Sequence, residues 1–468
     1  MFERESFHLF LQNRTAADGS DLGQCLARLF EVLNTPPDKR QKNLDETLAA
    51  FPYVNGDLFN EHLGFADFNR DMRNALLGCC EKDWSRISPA VFGSLFQSIM
   101  QPKERRQIGA HYTSERDILK VARSLFLDEL RAEFDARKND KSTGRKARLE
   151  EFHKKICSLR FLDPACGCGN FLVITYRELR QLELETLEEL LTVETKGERR
   201  LQRELTLDEV NRLSQVDVDQ FYGIEIEEWP ARIAEVALWL MDHQMNQKVS
   251  TVFGQLYQRL PLKKSPHIHC ANALRLDWKT VLPPEQCSYV LGNPPFVGKK
   301  EQNAAQKADM EFAWGGVKGV GVLDFVTAWY VKATRYIEGT HIPVAFVSTN
   351  SITQGEQVCV LSRELFERYS LSIHFAHRTF SWQSEARGKA HVHVVIIGFG
   401  RLVPTKRVIY EYVDQKGEPS AINANNINTY LLDGPSIVVE KRMHPISKVP
   451  EMDFGSKAAD FGHLLSIA

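Results

Sequence analysis

A short apolar run, Tyr289-Val290-Leu291-Gly292, ends in Asn293-Pro294-Pro295-Phe296. Proline fixes φ and offers no N–H, so two in succession cannot extend a ladder or enter a helix interior. The chain must therefore turn out after Asn293. That turn leaves an amide side chain, carbonyls without ladder partners and one aromatic ring at a strand's C-terminal edge, where open α/β sheets bind ligands. The Asn293 side-chain oxygen and the Pro294 carbonyl can both accept hydrogen bonds from one NH2 group, while Phe296 stacks on the ring that carries it. An exocyclic amine held this way keeps its lone pair free to attack an electrophile. Taken alone, the same residues also describe a proline turn closing a core strand, and the neighbouring elements have to separate the two readings.

Three earlier strand ends supply candidate partners. Phe161-Leu162-Asp163-Pro164-Ala165-Cys166-Gly167-Cys168-Gly169-Asn170-Phe171 reads as strand, glycine turn and helix start. Gly167 and Gly169 permit positive φ and close approach of backbone to a ligand. The turn lacks the spaced glycines of a dinucleotide fingerprint and the Lys-Ser/Thr of a phosphate loop. Asp163 at its mouth suits a cationic amine or a hydroxyl. The next strand ends Gly223-Ile224-Glu225-Ile226, placing Glu225 to accept from a ribose diol and Ile226 to pack on a purine face. A third ends Ala271-Asn272-Ala273-Leu274, with Asn272 at the height of a purine edge. An acid, an acid and an amide on successive strand tips fit an adenosyl cofactor with an amino-acid tail, and S-adenosylmethionine is the candidate.

The elements that must position these residues alternate. Apolar runs at 159–163, 221–225, 267–271, 289–292, 344–348 and 392–399 read as strands, and 170–182, 229–246, 322–337 and 357–369 as helices. Such alternation predicts βαβ units and a mostly parallel, doubly wound, Rossmann-like sheet. Residues 1–102 read as a helical connector or spacer, with Leu22, Cys25, Leu26, Leu29 and Phe30 on one helical stripe. Pro89 is expected to open a helix through Ile99, and Ser114 or Thr113 to cap another at 118–130. The charged stretch 131–155 reads as solvated helix or linker, and 183–212 as a charged helical insertion. Beyond Gly400 the alternation weakens.

Composition narrows the field without naming a function. The 468 residues carry a net charge of −2, so any nucleic acid must be met by a local basic face rather than by overall charge. Lys299, Lys300, Lys307 and Lys318, with glycines at 315, 316, 319 and 321, suggest a mobile phosphate-facing loop after the proline turn. No apolar run reaches the length of a membrane span. Nine cysteines without paired C-x-x-C sets point to a reducing cytoplasm rather than a disulfide framework or a zinc site. His374, His377, His391 and His393 lie on strand-like segments and read as core-edge or surface histidines.

In order, DPACGCGNF, GIEIE, ANALRLDW and GNPPF resemble the motifs of amino-directed DNA methyltransferases. GAHYT ahead of the first strand gives the gamma-type order of adenine-N6 enzymes. DGSDLG, FGSLFQS, ERRQIGAHYTSE, GNPPFVG, STNSI, QGEQV and GKAHVHVVIIGF extend the resemblance, from about residue 15 onward, to MmeI-like restriction–modification enzymes. The resemblance implies a class I methyltransferase sheet at 103–400, acting on a flipped adenine of double-stranded DNA. Asn293, Pro294, Pro295 and Phe296 would hold the base, with Phe380 as its second aromatic wall and Trp382 as the substitute. Asp163, Ala165, Gly167, Gly169, Asn170, Phe171, Glu225, Ile226, Asn272 and Ala273 would line the S-adenosylmethionine pocket, with Thr113 reaching it from the preceding motif.

Members of that family also carry an N-terminal nuclease and a C-terminal target-recognition domain. The expectation here is that 401–468 holds only the start of the latter and that the nuclease is missing, since Glu194-Thr195-Lys196 sits in the charged insertion without a Pro-Asp partner. Neither a metal nor a covalent nucleophile is expected. Three competing readings are an RNA- or protein-amide methyltransferase, a binding module without turnover, and a nicotinamide oxidoreductase, the last disfavoured by the absent G-x-G-x-x-G.

Overall fold

In this computed structural model the described residues are 5–54, 59, 66–82, 84, 87–89, 91, 113–194, 214–254, 265–382, 392–414, 417–440 and 448. The GAHY part of the motif before Thr113, the helix expected through Ile99, the Glu194-Thr195-Lys196 lysine and the end of the expected recognition segment lie outside them. Among the described residues no helix is long and apolar enough to cross a membrane.

Among the described residues nine strands form one sheet: β1 Phe161–Asp163, β2 Phe221–Glu225, β3 His267–Cys270, β4 Tyr289–Gly292, β5 Val344–Thr349, β6 Ser372–Trp382, β7 Val392–Gly400, β8 Arg407–Glu411 and β9 Ser420–Ala424. Their order is β3-β2-β1-β4-β5-β7-β6-β8-β9. β1 to β5 run parallel, and β7 lies antiparallel between β5 and β6. The chain winds outward from β1 through β2 to β3, then returns to the other side of β1 with β4. The strand order therefore reverses between β1 and β4, where a doubly wound sheet opens a crevice at its C-terminal edge. Asp163 ends β1 and Asn293 follows β4, so the reversal brings the glycine turn and the proline turn together. Phe161 stacks on Phe221 and Tyr289 at 5.2 and 5.5 Å, locking the three central strands through one aromatic layer.

Among the described residues the helices are α1 Ser6–Arg14, α2 Leu22–Asn34, α3 Glu46–Ala49, α4 Arg70–Cys80, α5 Glu115–Ala122, α6 Asp128–Lys138, α7 Arg145–Ser158, α8 Asn170–Glu194, α9 Glu228–Phe253, α10 Ala304–Trp314, α11 Thr327–Tyr336 and α12 Gly355–Leu361. The first four enclose a small core of their own around Phe10, Leu11, Leu22, Leu29 and Phe51. Arg40 ties it by donating to the carbonyls of Val32, Thr35, Ala49 and Phe51. The stripe read on α2 packs there as expected.

Three readings from the sequence need correction. The 131–155 stretch is helical for most of its length but neither linker nor fully solvated: Phe134, Leu149 and Phe152 are buried in the main core. Its charges instead pair across the helices, as in Arg145–Glu189 and Lys155–Glu133. Likewise α8 runs unbroken to Glu194, with Leu184, Leu187, Leu190 and Leu191 buried, so the supposed insertion begins inside a packed helix. Finally, the sheet does not stop at Gly400. β8 and β9 continue it, and β6, which precedes that residue, is hidden from the periodicity because bulges at Ile373/Phe375 and His377/Phe380 shift which side chains face inward.

Candidate active site

Asn293 leaves β4 with its amide held on one side only. Its Nδ2 donates to Thr113 Oγ1 at 3.1 Å, across 180 residues of sequence, while its Oδ1 is buried with no partner. A buried acceptor of this kind costs about 1–3 kcal/mol unless something donates to it. Pro294 is buried and Phe296 is 9% exposed beside it. Behind the turn, Gly292 lies directly against Asp163: a Cβ at Gly292 would stand 2.5 Å from Asp163 Oδ1. The end of the base-holding strand and the acid of the glycine turn are thus in contact.

The glycine turn is braced by the two acids named from the sequence. Asp163 Oδ1 accepts from the Ala165 amide at 3.0 Å, and its Oδ2 is buried without a partner. Burial raises the Asp163 carboxyl to about 8, outweighing the Ala165 amide, with Glu225 adding to the rise. Glu225 accepts from the Gly167 amide at 2.9 Å and the Glu227 amide at 3.0 Å. Its carboxyl is raised by burial against the pull of those amides. Gly167 takes φ +54° with open space above its Cα, and Gly169 takes φ +80° pressed against Ala234 of α9. A side chain at Gly167 would fill the cradle, and one at Gly169 would push the helix off the turn. Asn170 Oδ1 is another buried, unpartnered acceptor, and Ile226 is 58% exposed at the rim. Acceptors without donors, an open glycine cradle and an exposed aliphatic face fit a ligand with an ammonium tail, a diol and an apolar ring. Burial lifts Cys166 and, to about 12, Cys168, so both cysteines of the turn stay protonated packing residues.

Asn272 is placed differently from its expected role. Its Oδ1 accepts from the Leu274 amide and its Nδ2 donates to Asp309 on α10, which also pairs with Arg275 at 2.6 Å. The amide therefore docks the helix that follows the proline turn. Ala273 is buried beneath it. Phe380, expected as the second aromatic wall of the base, is fully buried here. Its ring lies 4.8 Å from Tyr412, and the Lys120 ammonium of α5 lies 4.2 Å from its centroid. Trp382 is buried too, with its indole N–H unpartnered. Both rings stand at the C-terminal end of β6, level with the end of β5, and lie 5.9 Å from each other.

Sequence reasoning missed Asp309 and Asp324. Asp324 Oδ1 accepts from the Lys299 amide at 3.0 Å, Oδ2 accepts from the Ser351 hydroxyl, and its own amide donates to Gln357 at 2.8 Å. It ties the exit from the proline turn to the loop after β5. A lone acid in the apolar run before α11 was the available signal; Asp309 gave none. A cleft of about 450 Å³ opens here between Lys299 and Ser351, Gln354 and Gln357. Lys299 lines this cleft, and Lys300, Lys307 and Lys318 are exposed as well.

Elsewhere, His377 is buried between Ser124 and Tyr412 and stacked 4.1 Å from Tyr410; burial, aided by Lys120, lowers it to about 3. Among the described residues His153, Cys157 and Glu183 form a compact trio of potential metal ligands. Glu183 is already occupied there by Arg180 and by the amides of Gln215 and Val216.

Comparison with known proteins places the chain. The family described as "MmeI, DNA-methyltransferase domain" matches residues 137–411, and "MmeI, helicase spacer domain" matches residues 1–59. DNA methyltransferase A of Bacillus subtilis (strain 168) is 40% identical over 470 residues, covering 99% of this chain and 50% of that protein. A putative type II restriction enzyme and methyltransferase of Methanocaldococcus jannaschii is 23% identical over 45% of this chain and 20% of its own. The structure of the Type IIL restriction-modification enzyme MmeI in complex with DNA superposes with a TM-score of 0.91 at 55% identity, covering 98% of this chain and 60% of that one. The chain thus spans about half the length of the Bacillus subtilis relative, which it matches along nearly its whole length. With this sheet order, and with the glycine turn and proline turn meeting at its reversal, the chain belongs to the MmeI DNA-methyltransferase family.

Proposed function

We propose that this chain transfers a methyl group from S-adenosylmethionine to the N6 amine of an adenine swung out of double-stranded DNA, as part of a restriction–modification or phage-defence system. The observation that carries the reading is Asn293 Oδ1, a buried acceptor without a donor beside the Pro294 carbonyl at the sheet's reversal point. An exocyclic amine supplies the donor that Asn293 Oδ1 lacks and a second for the Pro294 carbonyl. When bound, S-adenosylmethionine supplies an electrophilic sulfonium methyl group. Asp163 and Asn170 would accept from its ammonium tail, Glu225 from the ribose diol, and Ile226 would cover the purine.

The residues of the chain do the rest by placement. Flipping the base costs a few kcal/mol of stacking, and a stacking contact with Phe296 returns ~1–3 kcal/mol. Asn293 and Pro294 hold both N6 hydrogens, leaving the nitrogen lone pair directed along the line of attack. The N6–CH3 bond would form as the S–CH3 bond breaks, its electron pair leaving with sulfur as the neutral thioether, and the nitrogen would lose one proton to water because neither carbonyl is a strong base. Acceleration then comes from orientation and fixed dipoles. The exposed lysines that follow the proline turn meet phosphates, and Phe380 serves as a base wall only if Lys120 and Tyr412 draw away from it. Residues 1–102 act as the spacer, and nuclease and target-recognition modules are the natural partners of such a unit.

The test is tritium transfer from labelled S-adenosylmethionine to DNA, RNA and protein by the full-length enzyme, followed by nucleoside analysis. Label in N6-methyladenine that Asn293→Ala abolishes supports the reading. Label confined to RNA or protein, or unaffected by Asn293→Ala, refutes it.

A further inference from the structure

Thr113 has one evident use in this structure, and it is toward Asn293. The cap of α5 is supplied by its neighbour: Ser114 Oγ accepts from the Asp117 amide at 3.3 Å. Thr113 is 4% exposed, and its Oγ1 is the acceptor for Asn293 Nδ2. The helix behind it is firmly seated. Ile118, Val121 and Ala122 are buried in the main core, and Lys120 pairs with Asp117 while lying over Phe380. A hydroxyl carried on so fixed an element is a stationary reference point for a side chain that leaves the sheet at β4.

An asparagine amide presents a donor edge and an acceptor edge, and a half-turn about its last torsion exchanges them. To hold an incoming NH2 group, only the acceptor edge serves; the donor edge would face the amine with N–H against N–H. With Nδ2 satisfied by Thr113, Oδ1 is the edge left facing the site, buried and without a partner. We infer that Thr113 is a positioning residue: it holds the plane of the Asn293 amide so that its carbonyl faces the amine to be methylated. This rests on the proposed function for its substrate, but the orientation itself is a property of the chain alone. It also gives the site a reason to prefer bases carrying an exocyclic amine over those presenting a carbonyl at the same place.

This role differs measurably from cofactor contact, which the sequence suggested for Thr113. In Thr113→Val the shape is kept and the acceptor lost, so Asn293 Nδ2 is buried without a partner. The expected result is a fall in kcat of about ten- to a hundredfold, the range set by orphaning a buried polar group. The dissociation constant for S-adenosylmethionine by calorimetry should stay within twofold, and Thr113→Ser should restore most of kcat. A Thr113→Val enzyme that binds S-adenosylmethionine weakly but keeps kcat at saturation assigns the hydroxyl to the cofactor and overturns the inference. So does wild-type behaviour in both measurements, or failure of Thr113→Ser to rescue.

A readout independent of turnover separates this inference from the proposed function. In protein labelled with 15N at asparagine side chains, the Asn293 NH2 should exchange slowly in the wild type and in Thr113→Ser, and rapidly in Thr113→Val. Equal protection in Thr113→Val refutes the positioning role even if DNA methylation is found, and lost protection supports it even if the true substrate is another amine. Matching thermal melts confirm that the three proteins are folded.

Discussion

Gly292→Ala tests the contact between the two halves of the site with a single carbon. Gly292 is not in the left-handed region, so alanine is acceptable to the backbone, and the difficulty is only what its Cβ meets. That carbon would stand 2.5 Å from Asp163 Oδ1 and 3.1 Å from its Cγ. Reaching an ordinary separation of ~3.5 Å requires a displacement of about 1 Å. β4 is held in register with β1 on one side and β5 on the other, so it yields poorly. If Asp163 moves instead, it leaves the Ala165 amide and opens the glycine turn. Overpacking of this kind costs ~1–3 kcal/mol in stability. A misplacement of about 1 Å at a reacting geometry costs on the order of a hundredfold in rate, or ~2.7 kcal/mol. The assay is single-turnover methyl transfer with calorimetric binding of S-adenosylmethionine and a thermal melt. Gly298→Ala is the matched control, because its added carbon would stand 3.9 Å from Asp324 Oδ1 and should change nothing. A Gly292→Ala enzyme within twofold of wild type in both rate and binding would show that the contact does not couple the two turns.

Two titrations follow from the buried carboxylates. Burial alone would raise Glu183, but the Arg180 guanidinium, His153 and the Val216 amide overcome it and hold the carboxyl at about 2. Its contribution to stability is therefore fully present above the unfolded value of 4.5 and is lost as pH falls through about 2. Glu183→Gln leaves Arg180 buried without its counter-ion, so urea unfolding at pH 7 should show a loss of ~3–5 kcal/mol, with a flatter acid limb; a loss under ~1 kcal/mol would sink the assignment. Asp163 runs the other way. Raised to about 8 from 3.8, it contributes stability below pH 3.8 that is lost as pH rises through about 8. Asp163→Asn should flatten that decline between about pH 4 and 8, and an unchanged slope would show that Asp163 ionises normally.

The expected strands and the central helices were legible because each carries its own local pattern: apolar runs closed by glycine or proline, alternating with amphipathic stretches. The chemistry of the strand tips was legible for the same reason, since Asp163, Glu225 and Asn293 each follow a strand that names its own end. β6 was not, because two bulges break the alternation by which a strand is recognised. The packed helices at 128–158 were masked by charges that pair with one another rather than with water.

From its sequence alone, then, this protein has a doubly wound sheet, a glycine turn without phosphate-loop chemistry and an amide-proline-aromatic turn, all set by residues within a few positions of each other. Only the tertiary structure decided which groups meet. Thr113 reaches Asn293 over 180 residues, Asp309 takes the Asn272 amide over 37, and Lys120 and Tyr412 close on Phe380. Such pairings depend on the order in which strands join the sheet, and strand order is fixed by packing of the whole core rather than by any local run of residues.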